Sequence, residues 1–136
     1  MKNTKRIFAL MLALLLLLAG CGAKESTGET ITVTVEFDTS AVEYDGELVG
    51  KSFEVKAADG ATVFDTIKQT CEENDLELNY DDSTTLFITG IGDLNMGDIS
   101  EVDGWVYTVN GEDIWDASDV YKLKDGDTVT WKFMTW

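Results

Sequence analysis

Residues 59–74 read Asp-Gly-Ala-Thr-Val-Phe-Asp-Thr-Ile-Lys-Gln-Thr-Cys-Glu-Glu-Asn, and the fold follows from what this stretch must become. Thr62 is a helix-start residue, because its hydroxyl can accept from an unpaired N–H of the first turn. Asp65 lies three residues on, beside the positive end of the dipole. Ala61, Phe64, Ile67 and Cys71 then recur at helical spacing, while Asp65, Lys68, Gln69, Glu72 and Glu73 face elsewhere. This is the one clear helix, ending near Asn74, and its apolar stripe needs a sheet to lie on. Cys71 belongs to the stripe and reads as a small buried hydrophobe; no basic neighbour in sequence is placed to activate its thiol.

Upstream, Ile31-Thr-Val-Thr-Val-Glu-Phe37 alternates strictly, with Ile31, Val33, Val35 and Phe37 on one face. Period two with β-branched residues predicts a half-buried strand, and Phe53 and Val55 continue the pattern in a second. Asp45-Gly46 between them marks a turn or irregular loop. Downstream, strands are expected within 76–80, 85–91, 104–110, 112–115 and 127–134. Asn110-Gly111 is a hairpin signal, because both residues tolerate positive φ. Val129, Trp131 and Phe133 alternate with Thr128, Thr130 and Lys132, which places them in the core. One helix among several strands makes a two-layer α+β domain. A β-grasp-like arrangement, with the main helix packed on a mixed sheet, fits the element order over residues 30–136.

The first 20 residues carry Lys2, Lys5 and Arg6, then an apolar run from Ile7 to Leu18 and small residues. That order is a signal peptide. The run is too short for a membrane-spanning helix, which needs roughly 20 apolar residues. Leu18-Ala-Gly-Cys21 resembles the bacterial lipobox, in which the Cys is acylated and becomes the mature N-terminus. Cys21 is thus expected to tether the chain to the outer face of the cell membrane, since two acyl chains hold where one binds marginally. Residues 21–29, small and polar, read as a short flexible stalk.

The chain has 10 Lys+Arg, 26 Asp+Glu and no His, a formal charge of −16. Without residues 1–20 the balance is 7 against 26, or −19. Such acidity excludes nucleic acid, whose binding depends on basic groups displacing counterions. The absence of His removes the usual general base and the commonest metal ligand. Paired-carboxylate catalysis would need a cleft that raises one carboxyl pKa, so no enzyme activity is expected. Acidic residues between Asp93 and Asp103 invite a calcium reading, but the EF-hand positions starting at Asp93 fall on Gly97 and Gly104, so no metal or resident cofactor is assigned.

Candidate ligand-binding residues lie late in the chain. On the strand from Gly104, Trp105 and Tyr107 project to one side, Asn110 stands at the turn, and Trp115 is expected on the partner strand within cross-strand reach. These rings either offer a stacking face or fill the core under the helix. Glu112, Asp113 and Asp116 around Trp115 point to an exposed indole.

Asp59-Gly-Ala-Thr-Val-Phe-Asp-Thr-Ile67, Gly104-Trp-Val-Tyr-Thr-Val-Asn-Gly111 and Tyr121-Lys-Leu-Lys-Asp-Gly-Asp-Thr-Val-Thr-Trp131 together resemble the transcobalamin-like C-terminal domain of bacterial surface proteins. The resemblance implies a β-grasp-like fold, no catalysis, and contact with a corrinoid such as cobalamin. In the animal cobalamin carriers the similar domain closes over a ligand held against a larger helical domain. With no such helical segment read here, the resemblance implies an open face or a contribution to a partner's pocket. The expected role is capture of a small molecule for a membrane transporter. The alternative is a surface protein-interaction or structural module without a small ligand.

Overall fold

The computed structural model describes residues 29–136. The signal segment 1–20, Cys21 and all but the last residue of the stalk lie outside the described residues. Strand β1 (Thr30–Asp38) pairs antiparallel with β2 (Ser52–Ala58), Val33 opposite Val55. Its apolar face is buried at Ile31, Val33, Val35 and Phe37, as alternation requires.

Helix α1 (Val63–Glu73) starts with a capping box: the Asp65 N–H donates to Thr62 Oγ1 at 3.2 Å, and the Thr62 N–H donates to Asp65 Oδ2 at 2.9 Å. Two otherwise unpaired donors are thereby satisfied. The helix packs on β2 and β1, burying Val63, Ile67 and Cys71 together with Thr66 and Thr70. The two threonines go inside without an orphaned hydroxyl, because Thr66 donates to the Val63 carbonyl at 2.9 Å and Thr70 to the Thr66 carbonyl at 2.7 Å. Phe64, expected in the buried stripe, lies half-buried at its edge against Tyr80, ring centroids 5.0 Å apart.

Next come β3 (Leu78–Asp81), β4 (Phe87–Ile91), β5 (Leu94–Asn95), β6 (Asp103–Val109), β7 (Glu112–Asp113) and β8 (Thr128–Thr135). Rather than one sheet there are two: a mixed five-stranded sheet in the order β2-β1-β8-β6-β7, and a separate antiparallel sheet β3-β4-β5. The strand β8 runs parallel to β1 and antiparallel to β6, with Val129, Trp131 and Phe133 fully buried at the centre. Within the second sheet the register shifts between Asn79 and Tyr80, where Thr89 is the extra residue, so the bulge lies in β4. Strand β4 then leans on β6 instead of pairing with it.

The hairpin forms as its residues demand, Asn110 at φ 53° and Gly111 at φ 80°. Its second strand is shorter than expected. Pairing stops at Thr108 opposite Asp113, so Ile114 and Trp115 leave the sheet and Trp115 has no cross-strand partner there.

Candidate functional site

A cleft of about 250 Å³ opens where β7 gives out. One wall is β6, a second is the start of β4 with the residues before it, and the third is the segment 114–118. Rings dominate the lining: Phe87, Trp105, Tyr107, Trp115 and, at the back, Trp131. Strand alternation puts Trp105 and Tyr107 on the inner face of β6, where Trp105 stacks edge-on to Phe133 at 5.1 Å and Tyr107 leans on Trp131 at 5.2 Å.

Trp105 and Tyr107 are each only 7 % exposed, and their polar tips have partners. The indole of Trp105 donates to the Leu94 carbonyl at 3.0 Å, and the Tyr107 hydroxyl donates to the Asp116 carbonyl at 2.6 Å. Burial, then the nearby charge of Asp116, Tyr121 and Asp119, push the Tyr107 phenol up to about 12, so it stays a neutral donor. Trp115 is the opposite case. Its ring is 91 % exposed on the cleft rim.

Asn110 does not line the cleft. Its amide donates to Asp127 Oδ1 at 2.9 Å and accepts from the Thr128 N–H at 2.9 Å, which fastens the hairpin turn to the start of β8. Of the four candidate residues, Trp105, Tyr107 and Trp115 therefore meet at one cavity and Asn110 belongs to the scaffold.

Two residues that sequence reasoning did not single out as contacts also line the cleft. Trp131 is 1 % exposed and Ser118 4 %, and neither the Trp131 Nε1 nor the Ser118 Oγ has a hydrogen-bond partner. Leaving a buried polar group unpaired costs about 1–3 kcal/mol. Alternation alone marked Trp131 as core; its ring nitrogen, which needs an acceptor when buried, was the legible signal. Nothing in the sequence around Ser118 distinguishes it from the acidic residues beside it.

Three carboxylates of the acidic stretch from Asp93 to Asp103 are engaged within the domain. Asp103 accepts from the N–H groups of Gly97, Ile99 and Ser100 at 2.5, 3.0 and 2.8 Å. Burial pushes its carboxyl up, but these donors outweigh it and hold the pKa below the usual range. Asp98 accepts from the Asn95 N–H at 2.8 Å, and Asp93 from the Tyr44 hydroxyl. Among the described residues no three His, Cys, Asp or Glu side chains are grouped to hold a metal ion. Cys71 is 3 % exposed, with its thiol pushed up to about 12 by burial and then by Glu47 and Glu72.

Fold and cleft together define a small α+β domain with a ring-walled recess at a sheet edge. Residues 60–135 match the domain of unknown function DUF4430, and the chain belongs to that family, a transcobalamin-like C-terminal family. Among solved structures, haptocorrin in complex with Cbi aligns over 82 % of this chain with a TM-score of 0.65 and 13 % identity. The chain spans only 26 % of haptocorrin's length. A Ruminococcus gnavus ATCC 29149 protein, provisionally described as metal binding, aligns over 79 % of this chain and 98 % of its own, with a TM-score of 0.47 and 19 % identity. No curated protein matches the chain.

Proposed function

We propose that this protein is a non-enzymatic binding lipoprotein, tethered through acylated Cys21 to the outer face of the cell membrane, that captures a small molecule, a corrinoid in the first instance, for a membrane transporter. In this reading the described domain is β-grasp-like, and the cleft beside β6 is its contact face. The observation that carries the proposal is the ring-lined cleft with Trp115 standing 91 % exposed on its rim. An exposed indole is large apolar area left in water, and stacking a planar ligand on it recovers that area. The haptocorrin structure, similar in fold, holds Cbi, which motivates the corrinoid.

Size limits how the ligand is held. Pockets that enclose a whole drug-sized molecule are about 300–1,000 Å³, and 250 Å³ is less. A macrocycle would lie across the mouth against Trp115 and send only a substituent inside. The tether supports the role, because holding the domain at the membrane raises its effective concentration beside a transporter.

Titrating the full chain, purified in detergent, with cobalamin and cobinamide should quench Trp fluorescence saturably after correction for corrinoid absorbance. Trp115→Ala should weaken the quenching. Flat curves with both ligands would sink the corrinoid. The tether is tested separately: radiolabelled palmitate should enter the wild-type chain in a bacterial host and not the Cys21→Ala chain. A second reading, a surface protein-interaction or structural module, is favoured by the 7 % exposure of Trp105 and Tyr107, rings that serve the core.

A further inference from the structure

The cleft contains chemistry that stacking does not use. Its two buried polar atoms without partners, Trp131 Nε1 and Ser118 Oγ, belong to residues that line the same cleft, one on β8 and one in the 114–118 segment. A second hollow, between the end of β1 and the loop after it, differs on this point. Its Asp38 carboxylate accepts from the Ser40 N–H and hydroxyl, and its Tyr44 hydroxyl donates to Asp93 while accepting from the Leu48 N–H. Among the described residues, the buried side-chain polar atoms without a partner both belong to residues of the ring-walled cleft.

The types of the two atoms narrow what fits. An indole N–H can only donate, so the guest must bring an acceptor, whereas a hydroxyl takes either role. No lysine or arginine lines the cleft, and Asp116 does. A carboxylate or phosphate would enter without a counter-charge beside an existing negative one, at a cost that low local dielectric magnifies. A neutral carbonyl avoids that cost. An amide adds an N–H on the neighbouring atom, matching a donor and an adaptable hydroxyl together. We propose that the cleft is a receptor site for a neutral amide-bearing substituent, its carbonyl accepting from Trp131 Nε1 and the group completed by Ser118 Oγ.

Both atoms are closed to solvent in the unliganded chain, so the 114–117 segment must ease outward to admit the guest. That segment has left the sheet after Asp113 and is tied to β6 through the bond from Tyr107 to the Asp116 carbonyl. The inference deepens the binding role proposed above and rests on it only for the identity of the larger ligand.

The test uses full chain with ¹⁵N-labelled indoles, whose four Trp signals are assigned by single substitutions, titrated with propionamide and, separately, propionate. Propionamide should move the Trp131 signal saturably and propionate should not. Losing one hydrogen bond should weaken propionamide about threefold in Ser118→Ala and up to about tenfold in Trp131→Phe, where the signal of Trp105 in the same cleft is followed instead. Ser118→Ala keeps the test decisive if the Trp131 variant fails to fold, and the dispersion of the four indole signals reports folding. Equal or tighter binding of propionate, a Trp131 signal that no probe moves, or unchanged affinity in Ser118→Ala would each overturn the proposal. Dicyanocobinamide separates the two claims. If it binds wild type and Ser118→Ala alike, the amide site is wrong and capture stands; if it fails to bind while propionamide moves Trp131, the corrinoid is wrong and the amide site stands.

Discussion

The hairpin turn and the cleft beside it share strand β6 and treat polar atoms in opposite ways. At the turn, Asn110 uses both ends of its amide on Asp127 and Thr128, and the Asn110 N–H donates to the Thr128 carbonyl at 2.8 Å. At the cleft, Trp131 and Ser118 hold polar atoms with no partner at all. Both regions are rich in residues that invite a binding interpretation. The difference teaches that a polar residue already satisfied by its own chain is scaffold, and that the unsatisfied ones mark where the chain awaits something else.

The contrast can be broken most forcefully at Trp131. Trp131→Ala should cost about 3–5 kcal/mol in urea or guanidinium unfolding, because an indole buried at the sheet centre leaves a cavity. A loss below about 1 kcal/mol would mean the ring is not core. Asn110→Ala should cost about 1–2 kcal/mol, from two lost bonds and a positive φ that alanine dislikes, while leaving propionamide binding unchanged; a change in binding would move Asn110 back into the site.

Acid should have a smaller, reversible effect at the loop between β5 and β6. The carboxyl of Asp103 is held below its usual range by the N–H groups that outweigh its burial. Its stabilising contribution is therefore present above the unfolded carboxylate pKa, near 3.9, and is lost as pH falls through the folded value. Asp103→Asn should flatten that acid limb in a melting-temperature profile, and an unchanged limb would show that other carboxylates set it. Ser118→Ala should change stability least, within about 1 kcal/mol and in the stabilising direction, because the hydroxyl it removes has no partner to lose. A loss of about 2 kcal/mol or more would reveal a bond at Ser118 and erase the contrast.

Local chemistry made parts of the fold readable from residues alone. Thr62 with Asp65 announced the helix, Asn110-Gly111 the hairpin, and alternation the inner faces of β1 and β8, since each depends on neighbours a few positions away. The second sheet was not readable. Strand β4 packs on β6 without pairing to it, bulges at Thr89, and leads on to Leu94, whose carbonyl accepts from the Trp105 indole, contacts no periodicity encodes. Thr66 and Thr70 are absent from the apolar stripe that spacing reveals, because their burial depends on hydroxyls returning to helix carbonyls. At the candidate site the rings were found by type, but the distinction between Tyr107, whose hydroxyl is spent on Asp116, and Trp131, whose nitrogen is free, exists only in three dimensions.

The parallel seam between β1 and β8 governs how the domain comes into being. Thr130 Oγ1 donates to Glu36 Oε1 across 94 residues of chain, and among the described residues β8 joins the β2-β1 pair to the β6-β7 pair. That keystone follows every other described element in the chain. Without Thr128–Thr135 the five strands would be two hairpins with unpaired inner edges, so closing the sheet depends on contacts of long sequence separation, the kind that form slowly. The domain is thus held as one unit by its longest-range pairing, and loosening β8 would part the two hairpins from each other.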